Sequence, residues 1–254
     1  MAKIISVCGS PNSGKTTAAL KIAMELYNFD NKKPVLFLSP DLNVPSLAYI
    51  FPHAKDSELY SVGVALDKTD VYRDDVMRQI NNVKTLANFG FLGFKSGENH
   101  YSYPMPTDDK VLGFFQAMKD IAEYVVIDCT SNADDLISTL AKSHADAVIQ
   151  MVIPDLRCMT YYASCAEQFE HLAEKRIKVM NTMEMDLYLP INEVTDHFHG
   201  VDFTLPPKKI HVENIKRRTL HQNTIYNTKE GSAQNLLFIL QVYRGKFSIT
   251  RARR

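Results

Sequence analysis

The chain has 254 residues and carries 29 Lys or Arg against 29 Asp or Glu, a formal net charge of zero. Bulk electrostatics therefore predict no general affinity for nucleic acid or an anionic membrane, so any such binding would have to come from a local patch. The longest apolar candidate, Leu236–Leu240, falls well short of a membrane span, and Pro11, Asn12 and Lys15 interrupt any signal-peptide layout, so a cytoplasmic location is expected.

Lys3 to Cys8 is a short β-branched apolar run that reads as a buried strand. It leads into Gly9-Ser10-Pro11-Asn12-Ser13-Gly14-Lys15-Thr16, which fits the phosphate-loop spacing G-x-x-x-x-G-K-[ST] without a mismatch. Leu20, Ala23, Met24 and Tyr27 then recur at helical spacing. Strand, glycine-bounded loop and helix form the context that the motif requires. The glycines permit backbone angles at which successive N–H groups point inward at phosphate oxygens. The helix opening at Lys15 adds unpaired donors and the positive end of a dipole. Lys15 supplies a mobile charge for the β- and γ-phosphates, and Thr16 a hydroxyl ligand for Mg²⁺. The nucleotide-binding set is thus Gly9, Ser10, Pro11, Asn12, Ser13, Gly14, Lys15, Thr16 and Thr17. A plain glycine turn is the blander reading, and the flanks argue against it.

Further strand signals follow at Pro34–Leu38, Phe89–Phe94, Tyr124–Ile127, Ala147–Ile153 and Ile177–Met180. Helical patterns cover 70–88, 109–121, 133–143 and 157–174, with a last helix over 230–243. This alternation predicts an α/β fold with a mostly parallel twisted sheet and helices on both faces, the three-layer arrangement of a P-loop NTPase. Residues 1–254 read as a single ATPase domain with a basic tail at about 244–254. The segments Gly97–Pro106 and Pro190–Pro207 read as irregular loops, ordinarily packed connections and alternatively a partner surface. Cys8, Cys129, Cys158 and Cys165 lack close metal-ligand spacing and read as small buried hydrophobes; Cys158 and Cys165 could share one helix face.

The strand Tyr124–Ile127 ends in Asp128, whose carboxylate would emerge at the C-terminal edge of the sheet and hold Mg²⁺ through a water. The order of phosphate loop, VLFLSPDLNVPSL and YVVIDCTSNADD resembles the deviant-Walker ATPases: ParA, MinD, CpaE and the bacterial tyrosine kinases. FLGFKSGE, VIPDLRCMTYYAS, KVMNTM and DFTLPPKKIHVENIKRR resemble later segments of that family. The resemblance implies ATP or ADP with Mg²⁺ as cofactors, a nucleotide-dependent homodimer and a protein partner or activator. It also implies that Asp41 orients the attacking water, that Asp128–Asn132 is a switch loop, and that Asn181 reads adenine. The plainer readings are a capping or turn Asp at 41 and a turn residue at 181.

Two departures stand out. ParA and MinD carry a signature lysine where this chain has Ser10, and the first of two family acids is here Ser39. Serine supplies no charge, so turnover is expected to be slow or to need an outside cation. The tyrosine kinases also lack that lysine, but they end in a tyrosine cluster, and only Tyr243 stands in this tail. Lys216, Arg217, Arg218 and the tail arginines could hold DNA nonspecifically; a solvated helix end and a frayed tail are the plainer reading. The tail lacks the apolar face of a membrane-surface helix. The leading expectation is a Mg²⁺-ATP switch that positions a partner such as DNA, a pilus or secretion apparatus, or a conjugation machine. The alternatives are a nucleotide-binding scaffold without useful hydrolysis and a kinase-like module without its tyrosine tail.

Overall fold

The computed structural model describes residues 2–182 and 189–205. The chain begins with β1 (Lys3–Gly9), α1 (Lys15–Phe29) and β2 (Val35–Ser39). Three short helices follow, α2 (Leu47–Ile50), α3 (Val62–Leu66) and α4 (Arg73–Met77), then β3 (Asn81–Asn82) and β4 (Phe89–Gly93). Next come α5 (Asp108–Lys119), β5 (Tyr124–Asp128), α6 (Leu136–His144), β6 (Ala147–Val152), α7 (Leu156–Ser164) and α8 (Ala166–Glu170). The last described elements are β7 (Arg176–Asn181), α9 (Ile191–His197) and β8 (Phe203–Leu205).

These strands make one eight-stranded sheet in the order β3-β4-β2-β5-β1-β6-β7-β8. Every pairing is parallel except that of β3 with β4. All residues of β2, β4, β5 and β6 are buried, as strands covered on both faces must be. On one face Ile5, Val7, Phe37 and Val126 meet Ala19, Ile22, Ala23 and Leu26 of α1. On the other, Ile4, Cys8, Leu38 and Ile127 meet Phe114, Met118, Ile137 and Ala141 of α5 and α6. The expected three-layer α/β architecture is therefore present.

The register around β1 is tightly fixed. Val7 lies opposite Asp128, and Gly9 opposite Met151. Asp146 sets the start of β6 against β1: its carboxylate accepts from Lys3 Nζ and the Ile4 amide, both at 2.8 Å. After β1 the chain crosses to β2, and after β5 it crosses the other way to β6. The loops that follow β1, β5 and β6 thus converge at one edge, where open α/β sheets bind ligands.

Several element boundaries differ from the sequence reading. The helix over 70–88 is only α4, because the asparagines that follow favour turns and side-chain bonding over helix. Asn81 accepts from the Tyr60 amide at 2.8 Å and donates to the Tyr60 carbonyl at 2.7 Å. The helix over 157–174 breaks at Cys165, whose ψ of 15° ends α7, so Cys158 and Cys165 do not share one continuous helix. The irregular stretch after Pro190 contains α9 and β8. The helix over 230–243, the basic cluster at 216–218 and the tail at 244–254 lie outside the described residues.

Aromatic packing ties β2 to β4. Phe91 is fully buried and meets Phe89, Phe51 and Phe37 at ring-centroid distances of 4.8, 5.4 and 5.9 Å. Phe91→Ala is expected to lower unfolding stability by about 3–5 kcal/mol. Urea denaturation followed by circular dichroism reads this directly; a loss below about 1 kcal/mol would mean that the cluster does not anchor this side of the sheet.

Candidate functional site

The phosphate loop is the turn between β1 and α1. Ser10 and Ser13 are buried, Pro11 and Asn12 are exposed, and Lys15, Thr16 and Thr17 are half-buried on the first turn of α1. Asn12 and Gly14 have φ of 61° and 83°, in the left-handed region. The Ser13 amide closes the turn by donating to the Ser10 carbonyl at 3.2 Å. Gly9 and Gly14 are required by space as well as by angle. A Cβ at Gly9 would lie 2.3 Å from Ser13 Oγ and 3.0 Å from the Met151 carbonyl. A Cβ at Gly14 would lie 2.6 Å from Asn181 Nδ2.

No side chain caps the N-terminus of α1, and no acid stands in its first turn. Those amides and the helix dipole are therefore available to an external anion. Asp128, the last residue of β5, is buried, and its Oδ1 has no hydrogen-bond partner. Burial pushes its pKa up to about 7; the Thr16 hydroxyl and the Lys15 charge pull it down, and Asp41 pushes it up. Ser13 Oγ and Ser39 Oγ are buried without partners at the same edge. Orphaned buried oxygens are rare in folded proteins, and a bound ligand is a ready explanation for several together.

Asp41 lies just past β2, two strands from β1, and is half-buried. Its Oδ1 accepts from the Asn43 and Val44 amides, both at 2.9 Å, so the residue forms the turn that the plainer reading expected. Its charge nevertheless acts on Asp128 and on Tyr49. Asn181 ends β7 and donates from Nδ2 to the Ser13 carbonyl at 3.0 Å, bracing the loop from behind. Gly9, Ser13, Gly14, Lys15, Thr16, Asp128 and Asn181 are thus brought together, with Asp41 within electrostatic reach.

The residues fit a Mg²⁺-bound nucleoside phosphate. Among the described residues no group of three or more His, Cys, Asp or Glu is placed to hold a metal. A cation here would rest on Asp128, Thr16 and the ligand's own oxygens, which suits Mg²⁺, an ion that keeps waters and shares phosphates. Among the described residues the cysteines join no such group. Cys8 and Cys129 are buried, and burial pushes Cys8 up to about 12 and Cys129 well above the usual thiol range.

Sequence reasoning did not single out Ser131, Asp135 or Glu98. Ser131 Oγ donates to the Gly9 carbonyl at 2.8 Å. Asp135 caps α6 by accepting from the Ile137 amide. Glu98 gathers the loop after β4, accepting from Ser61 Oγ, the Lys95 amide and Tyr103 OH at 2.6, 2.7 and 2.8 Å. That loop leaves Tyr101 and Met105 the most exposed large apolar side chains described. The sequence marks these stretches only as wholes, residues 124–135 by the family resemblance and 97–106 as an irregular loop.

No family model matches the sequence, and no curated protein matches it. Solved structures do. The cell division ATPase MinD of Pyrococcus furiosus superposes with a TM-score of 0.71 at 17% identity, over 96% of this chain and 99% of that one. MinD of Pyrococcus horikoshii, in complex with Mg-ADP, gives 0.68 at 16% identity over 98% and 100%. A ParA family ATPase from Chlorobium tepidum gives 0.70 at 10% identity over 93% and 96%. The chain has the fold of the MinD and ParA ATPases.

A carboxyl group held near pKa 7 against an ordinary value of 3.8 stabilises the fold in its protonated form. That contribution is full below about pH 4 and is lost as pH rises through about 7, by several kcal/mol at most. In metal- and nucleotide-free buffer, Asp128→Asn is therefore expected to raise the melting temperature at pH 8 and to leave it nearly unchanged at pH 4. Differential scanning fluorimetry across that range checks it, and an equal shift at both pH values would contradict the assignment.

Proposed function

We propose that this chain is a Mg²⁺-ATP-dependent switch of the ParA/MinD type, working as one ATPase unit over residues 1–254. The observation that carries the reading is Asp128, buried with an orphaned oxygen, facing Thr16 and Lys15 beside the uncapped start of α1. The MinD and ParA fold supports it, as does the Mg-ADP held by one of the neighbours.

In this reading the amides from Ser13 to Thr17 bind the phosphates, and Lys15 neutralises the terminal ones. Thr16 and Asp128 hold Mg²⁺, which when bound offsets charge on the β- and γ-phosphate oxygens. Asp41 orients the attacking water with the carboxylate oxygen that its turn does not use, Oδ2. Asn181 holds the loop and faces the adenine side. Ser10 contributes a hydroxyl and no charge, so turnover is slow until a partner supplies a cation. Binding of ATP drives a second copy onto the loop edge of the sheet, where Val44 and Leu156 are each 62% exposed.

Charge segregation points to the partner. Residues 206–254 hold eleven Lys or Arg and two Asp or Glu, so a formal excess of nine positive charges is matched by nine negative ones over residues 1–205. A neutral total thus conceals a strongly basic segment, and such a segment binds an anionic polymer such as DNA.

The test is Mg²⁺-dependent ATP turnover with light scattering. Lys15→Ala is expected to weaken nucleotide binding at least about tenfold. Asp41→Ala should bind normally, stay dimeric and turn over about 10²- to 10⁴-fold more slowly. Wild-type turnover no faster than that of Lys15→Ala would leave the scaffold reading instead. In a separate measurement, anisotropy of labelled duplex DNA should show binding that weakens steeply with salt. Reversing Lys216, Arg217 and Arg218 to Glu should abolish most of that binding; no change would exclude this cluster.

A further inference from the structure

The chain leaves β5 at Asp128 and enters α6 at Leu136. Between them it is tied down at both ends. The Cys129 amide donates to the Val7 carbonyl at 2.9 Å, continuing the β1–β5 ladder. Ser131 Oγ then donates to the Gly9 carbonyl at 2.8 Å. At the far end, Asp135 Oδ2 accepts from Thr130 Oγ1 at 2.9 Å and from Ser138 Oγ, while Ser138 Oγ accepts from the Thr130 amide at 2.8 Å. Asp135 also caps α6, so one carboxylate holds both the loop and the helix that follows.

Gly9 has no side chain by which neighbours could hold it, and no room for one. Its peptide group is planar, so fixing the carbonyl fixes the direction of the Ser10 N–H as well. Ser131 therefore grips the first peptide of the phosphate loop, and Asp135 grips the same short segment from the helix side. From α6 the contacts run on to α8: buried Lys142 donates from Nζ to Gln168 Oε1 at 2.8 Å and lies 5.5 Å from the Phe169 ring centroid.

We propose that Ser131 is a positioning residue whose hydroxyl couples the phosphate loop to residues 129–138, so that the loop and the start of α6 shift as one unit. A change at the phosphates then reaches α6 through one side-chain hydrogen bond and a shared carboxylate. The regulatory part rests on the nucleotide-switch reading above; the coupling itself does not, because it is a property of the nucleotide-free protein.

Hydrogen exchange by mass spectrometry on the full chain tests it with wild type, Ser131→Ala and Ser131→Thr. Without nucleotide, Ser131→Ala is expected to speed exchange about 3- to 10-fold in both 9–14 and 130–136, the worth of one hydrogen bond. Ser131→Thr, which keeps the hydroxyl, should return both segments towards wild type. With Mg-ATP, Ser131→Ala should lose about tenfold in turnover while its nucleotide Kd moves less than about threefold. A change confined to 130–136, or none in either segment, overturns the coupling. Failure of the wild type to bind nucleotide would instead sink the switch reading and leave the nucleotide-free comparison to decide the coupling. Unchanged turnover alongside the expected exchange would overturn the positioning role.

Discussion

The site depends on a lack of room at the end of one strand. β1 runs between β5 and β6, so its last residue is hemmed in by Met151 on one side and by the returning loop on the other. Only glycine fits at position 9. From there the chain must turn sharply, and it does so through two left-handed residues before α1 begins. The parallel ladders that fix β1 also set the height of Asp128 and Met151 beside it. Loop, acid and helix terminus therefore share a single register, and slippage of either neighbour would take the site apart.

The groups gathered there are not the ones a fold would choose for its own stability. An ionisable carboxyl is buried with an oxygen unpaired, hydroxyls are buried without partners, and a helix starts without a cap. Each of these is a modest penalty, and together they mark a place where the sequence serves a ligand before the fold. The aromatic cluster and the doubly covered central strands offset them from a distance. Charges elsewhere follow the ordinary pattern: Lys3 with Asp146 and Lys33 with Glu123 are partly solvated pairs of small worth.

Much of this was legible in the sequence, for definite reasons. Buried parallel strands read as unbroken apolar runs, so Val35–Ser39, Tyr124–Asp128 and Ala147–Val152 were plain. The phosphate loop is a contiguous motif whose spacing carries its chemistry, and Asp128 follows from its place at a strand end. What escaped depends on contacts distant in sequence. Nothing local to Asn81 announces that its amide will satisfy Tyr60, 21 residues away. Cys165 breaks a helix at a point where the apolar pattern runs on. The bond from Asn181 to the Ser13 carbonyl spans 168 residues. Ser131 is one polar residue among several, set apart only by where Gly9 lies.

Asn81 also bears on how the sheet meets its surroundings. An outer strand with a long row of unpaired N–H and C=O groups is a template on which another chain can add. Here the outermost strand at one edge is two residues long and runs antiparallel to its neighbour. The carboxamide of Asn81 pairs with both backbone groups of Tyr60, so the stretch beside β3 is sealed by a side chain where a further strand might otherwise form. Fibre-like growth by strand addition is thereby discouraged at this end of the sheet. The proposed pairing of two copies through their loops then has no open-ended rival at this edge.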